Sequence, residues 1–365
     1  MSRMPLHRLH NKKSLRRPER LGVILIATAL LGLALASLPA AASPLPVNGL
    51  IAFDRTDFSQ GTDATYTMNP DGTDLRLAFA GGSVPHWSPD GTMLAMQTPY
   101  NGGCSGPVAV PPCSTTTILN PDTGSYRILT PPDPTLFTGC SVWSPDATHF
   151  ACEMESADGS RDGVYTIRTS DGGGLTQITS NPGGSDVPIA YSPDGKQIVF
   201  GRDDQNHNCT ITSALYVVNI DGTDLHQITP GGFCDDDGSW SPSGNEIAFA
   251  STTRPGCYTH PPTGGCPRAD SIWVVHPDGT GLTQIPLATD SRAFPGDVSW
   301  SPDGRKITFL LSTPVGTPSG GHSSIYQEGI ATANADGTDV QQLTSNTNSP
   351  LFDHSADWGP HPTSG

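Results

Sequence analysis

Apolar and polar residues alternate in short runs along most of this chain, and the runs come in pairs joined by tight-turn sequences. One pair is HWSPDGTMLAM, His86 to Met96: an aromatic closes the first run, Ser-Pro-Asp-Gly turns the chain, and Leu94-Ala95-Met96 opens the second. Alternation with a period of two places successive side chains on opposite faces of a strand, and Asp-Gly supplies the positive φ that a hairpin turn needs. The pattern returns as VWSPDATHFACEM from Val142, AYSPDGKQIVFGR from Ala190, SWSPSGNEIAFAS from Ser239 and SWSPDGRKITFLL from Ser299, with a truncated copy, DWGP, at Asp357 to Pro360. The six aromatics are Trp87, Trp143, Tyr191, Trp240, Trp300 and Trp358, separated by 56, 48, 49, 60 and 58 residues.

A second hairpin pattern runs between these copies. It reads MNPDGTDLRLAF from Met68, LNPDTGSYRIL from Leu119, RTSDGGGLTQIT from Arg168, VNIDGTDLHQIT from Val218, VHPDGTGLTQI from Val275 and ANADGTDVQQLT from Ala333. Each repeat therefore predicts two hairpins in series, and four-stranded antiparallel units at about 50 residues are the blades of a β-propeller. The first repeat, from Leu50, has second, third and fourth strands but no first strand before them. The last copy, around Trp358, is a first strand with nothing after it. The expectation is an all-β, six-bladed propeller over residues 49–360, closed when the C-terminal strand completes the N-terminal blade. Closure also removes the sheet edges that would otherwise template aggregation.

These aromatic-Ser-Pro-Asp-Gly and Asp-Gly-Thr turns resemble the repeat of TolB-type propellers, a WD-repeat-like family, and the resemblance extends over nearly all of residues 49–360. It implies the fold and says little about activity. TolB carries an α/β domain ahead of its propeller, whereas here the repeats begin almost directly after an apolar leader, so Tol-Pal function, much of which depends on that domain, is not implied. Some propellers of this repeat type resemble oligosaccharide lyases that hold a metal with histidines at the channel mouth. That resemblance makes His86, His207, His260, His322 and His354 candidates for such a role.

The leader departs from the rest of the chain. Seven Lys/Arg and one acid precede Leu21 to Ala36, LGVILIATALLGLALA, and Pro39-Ala40-Ala41-Ala42 follows. A basic, then apolar, then small-residue order is that of a secretory signal, expected to be cleaved after Ala42, with 43–48 a linker and 361–365 a tail. The competing expectation is retention as an anchor, because 16 apolar residues approach the length that spans a bilayer. Cleavage removes seven of the 19 Lys/Arg and one of the 35 Asp/Glu, leaving a net charge near -22. Such a surface repels nucleic acid and anionic lipid. An exported monomer is expected, periplasmic, surface-bound or secreted, with no membrane insertion after cleavage.

All eight cysteines follow the leader, and an even number in an exported chain favours disulfides. Eight cysteines allow 105 pairings. Their spacing suggests Cys104–Cys113, Cys257–Cys266 and Cys140–Cys152, with Cys209 and Cys234 left to pair by elimination.

The Ser and Asp of the aromatic-Ser-Pro-Asp turn suggest catalysis when one copy is seen alone. Recurrence favours turn chemistry instead, with the aromatic packed between blades and Asp90, Asp146, Asp194 and Asp303 accepting backbone N–H groups. The Asp-Gly-Thr-Asp copies lack the remaining oxygen donors of a calcium loop, so no cofactor is expected beyond a possible bound cation such as calcium. Long connections fall on one face, at Thr98 to Ser114, Asp203 to Ser213, Thr252 to Asp270 and Ser312 to Ser324. Where this face meets the central channel, His86, Asp235, Asp236, Asp237, Asp297, Asp353 and His354 form the candidate ligand site, with Asp357 beside them. The expected function is a binding scaffold for a protein, peptide or cell-envelope component. The alternative is a metal-dependent, lyase-like carbohydrate-active enzyme or another hydrolase working in the channel, although no G-x-S-x-G or H-E-x-x-H motif is present.

Overall fold

A computed structural model describes residues 46–99, 114–130, 133–203, 214–230, 234–252, 270–289, 293–316, 325–346 and 350–362. All lie in a unit spanning Pro44–Gly365. The described residues form 24 strands in six antiparallel sheets of four. Blade I contains β1 (Asn48–Asp57), β2 (Thr62–Met68) and β3 (Arg76–Ala80). Blade II is β4 (Ser83–Trp87), β5 (Leu94–Pro99), β6 (Ser114–Leu119) and β7 (Tyr126–Leu129). Blade III is β8 (Leu136–Trp143), β9 (His149–Ser156), β10 (Gly163–Arg168) and β11 (Thr176–Gln177). Blade IV is β12 (Ser185–Tyr191), β13 (Gln197–Asp203), β14 (Ala214–Asn219) and β15 (His226–Gln227). Blade V is β16 (Cys234–Trp240), β17 (Ile247–Thr252), β18 (Asp270–Val275) and β19 (Thr283–Gln284). Blade VI is β20 (Phe294–Trp300), β21 (Lys306–Gly316), β22 (Ile325–Asn334) and β23 (Gln341–Gln342). Finally β24 (Leu351–Pro360) returns to pair with β1, placing Trp358 opposite Ile51 and Asp353 opposite Arg55. The C-terminal strand thus closes the ring as the repeats predict.

The turns explain why the motif repeats. In the first hairpin the Ser144 hydroxyl donates to Asp146 at 2.6 Å and accepts the His149 N–H at 2.9 Å, while Asp146 accepts the Thr148 N–H at 3.0 Å. Ser88 with Asp90 and Ser301 with Asp303 repeat this arrangement. These side chains replace backbone partners that a tight turn leaves unsatisfied, so none is a spare nucleophile or base. In the second hairpin Asp71 accepts both the N–H and the hydroxyl of Thr73, and Asp221, Asp278 and Asp336 do the same for Thr223, Thr280 and Thr338. The second Asp of the motif, Asp74, Asp224 or Asp339, adopts positive φ, a conformation Asp tolerates better than most residues.

Six hydrophobic cores lie between neighbouring blades. The second strand of a blade carries a small residue where the aromatic of the next blade arrives: Ala52 shares a core with Trp87, Ala151 with Tyr191 and Ala248 with Trp300. Alternating large and small residues lets the two sheet faces interdigitate at the density of a protein interior. The last turn motif has Gly359 where its relatives have Ser, and the structure gives the reason. A Cβ there would lie 2.3 Å from Trp87 Cγ, because the closing strand packs directly on the ring of blade II.

The predicted Cys140–Cys152 disulfide is present, linking residues directly opposite each other on β8 and β9. Cys152 takes the place that Phe200, Phe249 and Phe309 occupy in later blades. Cys104, Cys113, Cys209, Cys257 and Cys266 lie outside the described residues, and only the backbone of Cys234 is described.

Candidate functional site

The first strands β4, β8, β12, β16, β20 and β24 form the innermost ring, and each carries a one-residue bulge shortly before its aromatic. A bulge opposes two residues to one and redirects the side chains beyond it. At three equivalent positions the bulged residue has positive φ: Val84 at 50°, Asp297 at 46° and Ser355 at 51°. For Val84 this is a costly conformation, because its branched Cβ crowds the backbone.

Inside the ring lies a cavity of about 510 Å³ to which all six inner strands contribute. The residue immediately before each aromatic faces it, giving a ring of His86, Val142, Ala190, Ser239, Ser299 and Asp357. Inner strands run from the long-loop face toward the Ser-Pro-Asp turns, so this ring lies deep, at the turn end of the channel. Nearer the long-loop end the wall carries Glu153, Ser185, Arg202 and Asp203.

Hydrogen bonds between blades hold the deep ring in place. Ser239 Oγ accepts the Trp300 N–H at 3.2 Å, and Ser299 Oγ accepts that of Trp358 at 3.4 Å. Asp357 performs the same task for Trp87 at 2.8 Å, and its other oxygen accepts the Ser299 hydroxyl at 3.0 Å. Higher up, Asp297 Oδ2 accepts the Ser355 N–H at 2.8 Å. The backbone carbonyl of His86 accepts the Trp143 indole N–H at 3.0 Å. The His86 ring lies deep in the molecule with part of its surface on the cavity. Burial lowers its pKa against the opposing pull of Asp357, so the imidazole is neutral at pH 7.

The other candidates divide differently from the pattern in the sequence. His86 and Asp297 line the cavity, as does Asp357. Asp353 does not: it is fully buried and holds Arg55 in a bidentate pair, with the Nη2–Oδ2 contact at 2.8 Å. The Arg55 guanidinium also lies 4.8 Å from the Tyr66 ring centre. Blade IV, across the ring, repeats this arrangement with Asp186, Arg202 and Tyr216. His354 faces Asp54, its Nε2 3.0 Å from Oδ2, and does not line the cavity. Asp54 is fully buried, with neither oxygen in hydrogen-bond geometry to a partner. Burial first, and then the charge of Asp297, pushes its pKa well above the usual carboxylate range. Asp235, Asp236 and Asp237 belong to β16, but their side chains lie outside the described residues, as do His207, His260 and His322.

Sequence reasoning missed Asp54, Glu153, Arg202 and Asp203. All follow the apolar centre of a second strand, where the copies differ: Arg55 and Arg202 stand where other blades have Thr98, Met154, Ser251 and Leu311. Aligning the copies column by column would have exposed that position. Among the described residues, no three His, Cys, Asp or Glu side chains converge on a metal centre.

No family model matches the chain. An uncharacterized protein of Agrobacterium fabrum is 26% identical over 270 residues, which cover 68% of this chain and 81% of that protein. Among solved structures, TolB from Acinetobacter baumannii superposes with a TM-score of 0.61 at 17% identity, covering 87% of this chain and 68% of its own. A TolB-type structure from Agrobacterium tumefaciens gives 0.53 at 18%, covering 87% and 100% respectively. Kuenenia stuttgartiensis hydrazine synthase gives 0.55 at 12%, covering 88% of this chain and 48% of its own. The fold is therefore that of the TolB-type six-bladed propeller. At these identities the likeness is one of fold alone, and a fold of this kind serves unrelated functions.

Proposed function

We propose that this chain is an exported binding scaffold that receives a protein segment, a peptide or a cell-envelope component in its central cavity from the long-loop face. The observation that carries this reading is the cavity itself. Its volume falls within the range of about 300–1,000 Å³ typical of ligand pockets. Its wall differs from blade to blade, while the aromatics and turns behind it repeat. A purely structural ring has no need of that variety. The Cys140–Cys152 disulfide supports an exported chain.

The test is capture from a cell-envelope extract by the immobilised full chain and by an Ala190→Phe variant, whose added ring fills the cavity. Ligands retained by the first and lost by the second support the reading. Equal retention by both, or retention by neither, would overturn it.

A further inference from the structure

At its deep end the cavity wall is polar on one side and apolar on the other, while nearer the long-loop end blades III and IV add Glu153, Ser185, Arg202 and Asp203. Blades VI, I and II supply Asp297, Ser299, Asp357 and His86, whereas blades III and IV supply Val142, Ile189 and Ala190. The carboxylate of Asp357 is more than its structural task requires. Ser239 and Ser299 anchor the next blade's aromatic N–H without charge, at 3.2 and 3.4 Å against 2.8 Å for Asp357, so that task alone does not require an acid, whose placement here adds desolvation cost. Beside it, neither ring nitrogen of His86 makes a hydrogen bond with a described residue, although the ring lies deep in the protein and reaches the cavity. Asp297, held at positive φ, brings a second carboxylate to the same side.

We propose that the cavity takes a primary ammonium group attached to a compact apolar side chain. The ammonium sits at Asp357, with Asp297 and the His86 lone pair as further acceptors, and the apolar part lies against Val142, Ile189 and Ala190. This rests on the binding-scaffold reading and names its ligand class. An ammonium offers three N–H donors, matching two carboxylates and one neutral imidazole.

The ammonium is that of a free amine or of a peptide N-terminus, so the experiment uses both. Trp87 and Trp143 line the cavity and report occupancy by fluorescence. The full chain is titrated with L-leucinamide, with leucyl-glycyl-glycinamide and with the N-acetyl form of each. Saturable binding of either amine, weakened at least tenfold by acetylation and by Asp357→Ser, supports the proposal; the peptide alone binding assigns the source to a chain terminus. Asp357→Ser places there the residue that two other blades use to hold the next aromatic N–H, and its urea-unfolding midpoint checks that the fold is kept. Acetylated and free forms binding alike, or an unchanged affinity in Asp357→Ser, would overturn the proposal. If no amine binds while Ala190→Phe still abolishes capture from extract, the ammonium assignment fails and the scaffold reading stands. If capture fails too, both fall.

Discussion

The carboxylate of Asp357 accepts the backbone N–H of Trp87 at 2.8 Å, joining residues 270 positions apart in sequence. This bond crosses from the closing strand β24 to blade II, where the two ends of the repeat array meet. A propeller has no central core, so its stability depends on every such junction being made, and the last one joins the most distant segments of chain.

Gly359 lies at the same junction. Gly359→Ala drives a methyl group into the Trp87 ring, with the nearest ring atom 2.3 Å away, and overpacking of this kind costs about 1–3 kcal/mol. Urea unfolding is expected to show a lower midpoint with an unchanged slope. A midpoint equal to wild type would show that β24 moves aside at no cost.

Asp353 is a structural residue in this fold. Asp353→Ala leaves the largely buried Arg55 guanidinium without its partner, a change that costs about 3–5 kcal/mol. Replacing both as Arg55→Met with Asp353→Leu should recover most of the loss, because two apolar groups of similar size leave no buried charge. Recovery by the double variant is the decisive reading in denaturant titration.

Removing the Cys140–Cys152 link by Cys140→Ala with Cys152→Ala should cost about 3 kcal/mol on chain-entropy grounds, given its separation of 12 residues. Both side chains are buried, so the smaller alanines add a packing loss. Comparison with wild type under reducing conditions separates the two contributions. A variant that unfolds at the wild-type midpoint would show that the link adds nothing.

The pH dependence follows from two opposed carboxyl groups. Folded Asp54 holds its proton at pH values where the unfolded chain has lost it, so its contribution to stability is fully present below about pH 3.9. That contribution declines as pH rises toward its elevated folded value. Asp54→Asn removes the decline, so its stability relative to wild type should grow from pH 4 to pH 8; parallel curves would refute this. Asp146 behaves in reverse. Its pKa is lowered to about 2, first by the Ser144 hydroxyl, so its contribution is present at neutral pH and is lost as pH falls through about 2. An Asp146→Asn variant should therefore show a shallower acid-unfolding curve.

Much of the architecture was legible without coordinates because it is written in local chemistry. Asp-Gly turns and period-two alternation are properties of neighbouring residues, and six copies of each identify the blades, their strands and the manner of closure. Turn roles for Ser144 and Asp146 followed from the same locality, as did a Cys140–Cys152 pair across one hairpin.

The direction of the channel side chains was not legible, and Asp353 and His354 show why. Counting back from buried Trp358 in steps of two passes Ala356 and arrives at His354 as the next residue between blades. In the structure Asp353 is the buried one, because the bulge at Ser355 shifts the register by one residue and exchanges the two faces of the strand. Tyr191, Ile189 and Asp186 repeat the exchange on β12. The sequence by itself determined how many blades there are and how the ring closes, since both depend on turns a few residues long. Only the tertiary structure decided which acids line the cavity and which are buried in ion pairs. That outcome depends on a one-residue slip with no fixed residue signature, and on neighbours such as Asp357 and Trp87 that meet only when the ring is closed.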